Sequence, residues 1–290
     1  MTRRPRASLA AAALAVTALL AACTGPAEPR GTSETSEAPG AGPSASTDAQ
    51  LRPTDPDGLR AAGTAVPVGD VTLAVWPPLP EAPGAPDEDG AVVLTAPLPV
   101  SDGGTASVVP VLTVVPPAGT TVEELEDGSA LVRDGDGRAV AAVTAPVLDG
   151  VATGSGLRVQ VDADDGGTLA WSVVVPVRTD GSVEPLPGGT LAATVATTAV
   201  RGATWSDRDD EGGRSLAVVP ATWARTGGRA GEEAVWSQLV AQVPEAGTPA
   251  MHDQLTCHTI GAPDKASWNL EPWRPDVGLL QTLAALCNPE

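Results

Sequence analysis

The chain is poor in aromatic residues and in positive charge. Phe and Tyr are absent, and seven tryptophans make up the whole aromatic complement of 290 residues, so any bulky ring in a core must be an indole. Lysine occurs once, at Lys265, histidine only at His252 and His258, and cysteine three times. The formal charge is −19. Such an excess of acid repels nucleic acid and bare anionic lipid. No C-x-x-C pair or Cys/His set has metal-ligand spacing. On a helix the two histidines would lie about 240° apart around the axis, which argues against one shared metal. Neither G-x-S-x-G nor S-x-x-K occurs, so a serine nucleophile lacks its usual setting. The glycines at Gly154 and Gly156 read as a turn, because no strand-to-helix phosphate motif follows. No cofactor and no metal are expected.

Long apolar runs are missing too. The uncharged run from Ala7 to Ala22 is too short for a comfortable membrane span, and it follows three arginines and ends in small residues. Residues 1–22 therefore read as an export signal. The tetrad Leu20-Ala21-Ala22-Cys23 resembles a bacterial lipobox, which implies that Cys23 carries lipid and that the protein meets the membrane through this anchor. Loss of Arg3, Arg4 and Arg6 with the signal, which contains no acid, takes the charge to −22. Residues 23–60 are Pro, Gly, Ser, Thr and acid with little to bury, and read as a disordered tether. The expected location is extracytoplasmic, lipid-anchored to the cell membrane. Arginine in place of lysine, with abundant Ala and Gly, suggests a high-GC Gram-positive host. With Cys23 assigned to lipid, Cys257 and Cys287 remain as an even pair in an oxidising compartment, and a disulfide is the expectation.

Two folded regions follow. From 61 to 200, short Val/Thr/Leu runs are separated by DG, GG and PG dipeptides, the pattern of an all-β, sandwich-like domain. Asp134-Gly135-Asp136-Gly137 fits a hairpin turn. This domain shows no catalytic constellation and reads as a spacer or docking platform. From 201 to 290 the composition shifts: five tryptophans, both histidines and the lysine fall here, while the tether and first domain hold most of the acid. RSLAVVP reads as a strand. EEAVWSQLVAQV reads as a helix stopped by Pro244, with Val235, Trp236, Leu239, Val240 and Val243 on its apolar face. A second helix should start at Thr248-Pro249, with Thr as cap. A third should start near Asp276 and turn Val277, Leu280, Leu283, Ala284 and Cys287 to one side. The region reads as a small α+β module closed by the disulfide.

The segments GGRSLAVVPATWAR, AVWSQLV, HDQLTCH, KASWNLEPWRPDVG and the terminal CNP together resemble the domain of unknown function 2599 family, found in exported proteins and lipoproteins of high-GC Gram-positive bacteria. The resemblance implies a compact module with a Cys257–Cys287 bond and no assigned activity. KASWNLEPWRPD is the candidate site. Pro272 and Pro275 prevent a continuous helix there. Trp268 and Trp273 could fill the core that Phe and Tyr do not, with Glu271 pairing Lys265 or Arg274. Alternatively Trp268 or Trp273 offers a flat face for a sugar ring or apolar chain, with Asn269 and Arg274 as hydrogen-bonding groups. A catalytic reading would use His258 as general base oriented by Glu271. The expected function is binding or organising a cell-envelope polymer or surface protein without catalysis. An envelope-directed hydrolase is the alternative.

Overall fold

The computed structural model describes residues 53–290 apart from 105, 165, 166, 209 and 211. The export signal, Cys23 and the linker through residue 52 lie outside the described residues. Helix α1 (Pro56–Ala62) opens with Pro in its first turn, and the Asp55 carboxylate accepts the Gly58 N–H at 2.8 Å. The tether read as 23–60 therefore ends earlier, because Leu59 has Ala74 and Val115 to bury against.

Eleven strands follow: β1 (Thr64–Val68), β2 (Val71–Trp76), β3 (Val92–Pro97), β4 (Val108–Val115), β5 (Thr121–Glu124), β6 (Ala130–Arg133), β7 (Ala139–Val143), β8 (Val147–Asp149), β9 (Arg158–Ala163), β10 (Leu169–Val174) and β11 (Thr190–Ala196). They form two antiparallel sheets, ordered β1-β2-β4-β10-β9 and β3-β11-β7-β6-β5, with β8 paired to β11. Strand β3 alternates strictly: Val92, Leu94 and Ala96 are buried while Val93, Thr95 and Pro97 face out. Inward residues of both sheets meet in one core around Trp171, which is fully buried. This is the sandwich that the short alternating runs predict.

Many of the acids serve turns. Asp134 accepts the N–H groups of Asp136 and Arg138 at 2.9 Å each, closing the β6–β7 hairpin, and Asp87 does the same for Asp89 and Ala91 at 2.8 and 2.9 Å.

The last third holds β12 (Val200–Arg208), β13 (Gly213–Pro220), α2 (Thr222–Thr226), α3 (Gly228–Gln242), α4 (Pro249–Gly261), β14 (Trp268–Leu270) and α5 (Leu279–Ala284). The sheet order is β12-β13-β14, all antiparallel. Leu216, Val218, Trp268 and Leu270 line its inner face at 0% exposure, against Val235, Leu239, Met251 and Leu255 of α3 and α4. Thr248 caps α4 as its sequence predicts, accepting the Met251 N–H at 3.3 Å. The disulfide joins Cys257 of α4 to Cys287 beyond α5, with an S–S distance of 2.07 Å and Cα atoms 5.5 Å apart.

Two expectations change. Helix α5 begins at Leu279, not Asp276, because Gly278 adopts φ +79°. Its buried residue is Thr282, and Leu280 is 83% exposed. In α3 the buried stripe is Ala230, Ala234, Val235 and Leu239, while Trp236 is half-buried and packs on the His252 ring at 4.5 Å.

The composition shift at residue 200 is not a mechanical boundary. Ala91, Leu131, Ala142 and Ala196 of the sandwich share a core with the helices of the last third. The sandwich also caps those helices. Asp89 accepts the Thr222 N–H at the start of α2 at 2.8 Å, while Asp127 and Ser129 accept the Arg229 and Ala230 N–H groups at the start of α3 at 2.8 and 3.0 Å. Gln238 of α3 returns the contact, accepting from Ala199 and Val200 and donating to Thr197 O at 2.6 Å.

Candidate functional site

The segment KASWNLEPWRPD wraps the end of α4 and the edge of β13. Strand β14 is set by register, with Trp268 opposite Val218, Asn269 opposite Ala217 and Leu270 opposite Leu216. Trp268 is fully buried, its indole N–H donating to Ala262 O at 3.2 Å. The Arg225 guanidinium stands 5.8 Å from its ring and donates to the carbonyls of Pro263, Lys265 and Ala266, which fixes the loop into the strand. Burial lowers the Arg225 pKa from its ordinary value. Trp268 is thus a core residue, with no face open to a ligand.

After β14 the chain is gripped at Glu271. The Gln254 amide of α4 donates to Glu271 O at 3.0 Å and accepts the Glu271 N–H at 2.8 Å. The Glu271 carboxylate, 6% exposed, pairs with Arg274. Arg274 donates onward to Pro289 O at 3.1 Å, tying the loop to the C-terminus. Lys265, the other cation considered for Glu271, is exposed.

His258 faces the same core. Its Nε2 lies 3.0 Å from Asn269 O, its ring stacks on Trp268 at 6.5 Å and 6°, and buried Nδ1 has no hydrogen-bond partner among the described residues. Burial is the main reason its pKa falls below the ordinary histidine value, with Lys265 adding to the fall while the Asn269 bond and Glu271 oppose it. His258 and Glu271 are neighbours in the fold, yet each has its own partner: the imidazole Asn269 O, the carboxylate Arg274. Clefts of about 410, 480 and 490 Å³ lie elsewhere and none is lined by either residue. Asn269 contributes through its backbone carbonyl, not its side-chain amide.

Trp273 is different. It is half-buried, with the Arg274 guanidinium 4.4 Å from its ring centroid, and it lies across Gly212 and Gly213. Both glycines have positive φ, and a Cβ on either would approach the indole to 3.0 or 2.9 Å. One residue on, Arg214 stacks on Trp205 at 4.3 Å. Two Trp–Arg stacks therefore flank the β12–β13 hairpin. The sequence assigns no site role to Trp205, Arg214 or the paired glycines, although Gly212-Gly213-Arg214 opens the GGRSLAVVPATWAR segment and is the available signal. Among the described residues no group of His, Cys, Asp and Glu is arranged to hold a metal ion. No helix among them is long and apolar enough to cross a membrane.

The chain has relatives among known proteins. An uncharacterized protein of Mycobacterium tuberculosis (strain H37Rv) is 45% identical over 83 residues, covering 26% of this chain and 56% of that protein. An uncharacterized protein of Mycobacterium bovis matches to the same extent. One of Mycobacterium leprae is 44% identical over 64 residues, 21% of this chain and 51% of that protein. The chain spans about half the length of these curated relatives. No solved structure matches it. Residues 200–290, from the first residue of β12 to the C-terminus, match the model of the family described as a protein of unknown function, DUF2599.

Proposed function

We propose that this is an extracytoplasmic binding protein, held to the membrane by lipid at Cys23, whose C-terminal module contacts a cell-envelope component without catalysis. The observation that carries the non-catalytic reading is how the polar groups of the segment are spent. Glu271 and Arg274 pair with each other, Gln254 takes the Glu271 backbone, and His258 is buried against Asn269 O. A general base needs a reactive proton within about 2.6 to 3.2 Å. Here Nε2 carries the proton donated to Asn269 O, which leaves Nδ1 as the basic nitrogen, and that atom is buried and lines none of the clefts described above.

The two Trp–Arg stacks support binding. A half-buried indole offers apolar surface, and Arg214, with its side chain 49% exposed, has donors open to solvent, a combination suited to sugar rings and acyl chains. The disulfide, buried on both sides, fits folding in an oxidising compartment. The mycobacterial relatives fit a high-GC Gram-positive host.

Two experiments test this reading. Fatty-acid labelling in the native host should mark the wild-type chain and not Cys23→Ser, and equal labelling of both would remove the anchor. Purified envelope polymers and lipids should retain the full chain without releasing fragments. Release of fragments that stops with His258→Ala would replace binding with hydrolysis.

A further inference from the structure

The outer face of the sandwich carries a second candidate site, independent of the Trp273–Arg274 surface. Two clefts meet at Val93. One, of about 480 Å³, lies between β3 and the Pro-rich loop 79–84. The other, of about 410 Å³, runs from Val93 past Val147 to Trp223 and the Gly227–Gly228 turn. Together they make one trough, walled by the loop at one end and by helix α2 at the other.

Register fixes the floor. Val93, Thr95 and Pro97 of β3 stand opposite Thr194, Ala192 and Thr190 of β11, and Ala192 stands opposite Val147 of β8. Directly paired residues share a face of the sheet. The floor is thus a grid of aliphatic carbons and hydroxyls, with Val93 52% and Val147 60% exposed. At about 3.4 Å per residue and 4.8 Å between strands, it measures roughly 14 by 10 Å.

Charge and backbone chemistry narrow the occupant. Neither cleft is lined by Lys or Arg, and their two acids are Glu81 and Asp127. Asp127 is already committed to Ser129 and the Arg229 N–H. An anionic polymer would meet uncompensated acid on a chain of charge −19. A peptide strand would pair along the free edge of β3, the end strand of its sheet, whereas across the face the backbone groups lie in the plane of the sheet and the floor offers side chains alone. What remains is recognition by side-chain hydroxyls and apolar carbons. A pyranose ring presents the complementary pattern, with C–H faces and a hydroxyl rim.

We propose that this trough binds an uncharged, extended polysaccharide. Isothermal titration of the full chain with the hexasaccharides of N-acetylglucosamine and of glucose, both β-1,4-linked, tests it. An anionic galacturonate oligomer and an Ala/Thr-rich decapeptide serve as competitor classes. The expected result is binding of a neutral hexasaccharide, weakened at least tenfold by Val93→Arg and by Val147→Arg and unchanged by Trp273→Ala. If an arginine variant loses its melting transition, Thr95→Val, isosteric and exposed, takes its place with the same expected weakening. Absence of binding to both neutral probes, equal or tighter binding of the galacturonate or peptide, or variants that bind like the wild type would each overturn the proposal.

Discussion

Replacing Asp89 with Ala tests whether the sandwich and the C-terminal module are one folding unit. The Asp89 side chain, 3% exposed, binds the Arg201 guanidinium and accepts the N–H of Thr222, so it closes an ion pair and caps α2 from the turn before β3. Losing a cap costs about 1 kcal/mol. A hydrogen bond to a charged group adds about 1.5 to 3 kcal/mol. Arg201 keeps Glu88 and solvent after the change, so the lower part of that range applies and the expected total is about 2 to 3 kcal/mol. For a domain of this size, each kcal/mol lowers Tm by about 2 to 4 °C, giving a fall of roughly 5 to 10 °C. The assay is thermal and urea unfolding followed by near-ultraviolet circular dichroism and tryptophan fluorescence. Arg201 holds the Asp89 carboxyl below its ordinary pKa, so its contribution is present above about pH 4 and fades as pH falls through the depressed value. The gap between wild type and Asp89→Ala should close there. A fall under 1 °C, or loss of the module while the sandwich melts unchanged, would refute the reasoning.

Further expectations follow from single contacts. Removing the disulfide with Cys257→Ser and Cys287→Ser opens a loop of 30 residues and should cost about 3 to 4 kcal/mol by urea unfolding. Leu286→Gly should stabilise the chain by about 1 kcal/mol. Leu286 is 81% exposed at φ +54°, the left-handed position after α5 where the Leu286 and Cys287 N–H groups bond Leu283 O and Thr282 O, a geometry that glycine adopts without strain. His258 is buried with a lowered pKa, so the unfolded chain takes up its proton first and stability should decline as pH drops below about 6.5. His258→Gln should remove that limb of the pH–stability curve and leave the Asp89 limb below about pH 4.

Legibility in the sequence followed the range of the interactions. Local signals held: the Asp134–Gly137 turn closes a hairpin, Thr248-Pro249 starts α4, and the cysteine pair is bonded. Alternation in β3 and β13 marked the inward residues because a strand has only two faces. The buried face of α5 is not legible in the sequence, because LLQTLAAL is apolar nearly all round and periodicity alone cannot choose the buried side. There the disulfide and Thr282 settle the rotation. Alanine hid the junction at residue 200, since Ala91 and Ala142 look alike in a loop and in a core. Asp89 lies 112 residues from Arg201, beyond any local pattern. In the candidate site, the structural side of the balance was readable for Trp268 and for the Glu271–Arg274 pair. The seat of Trp273 on Gly212 and Gly213 was not, because it depends on β14 docking beside β13.

The central claim is that the C-terminal module binds through its Trp–Arg surface and does not use His258 chemically. The most direct measurement compares retention of the full chain and of its Trp273→Ala and His258→Ala variants on purified envelope fractions, with mass spectrometry of the supernatant. The account predicts that, in a Val93→Arg background that silences the sandwich trough, Trp273→Ala, folded by circular dichroism, loses retention, while His258→Ala keeps it and no supernatant gains new fragments. Retention lost with His258→Ala alone, or fragments released by the wild type and not by that variant, would contradict it.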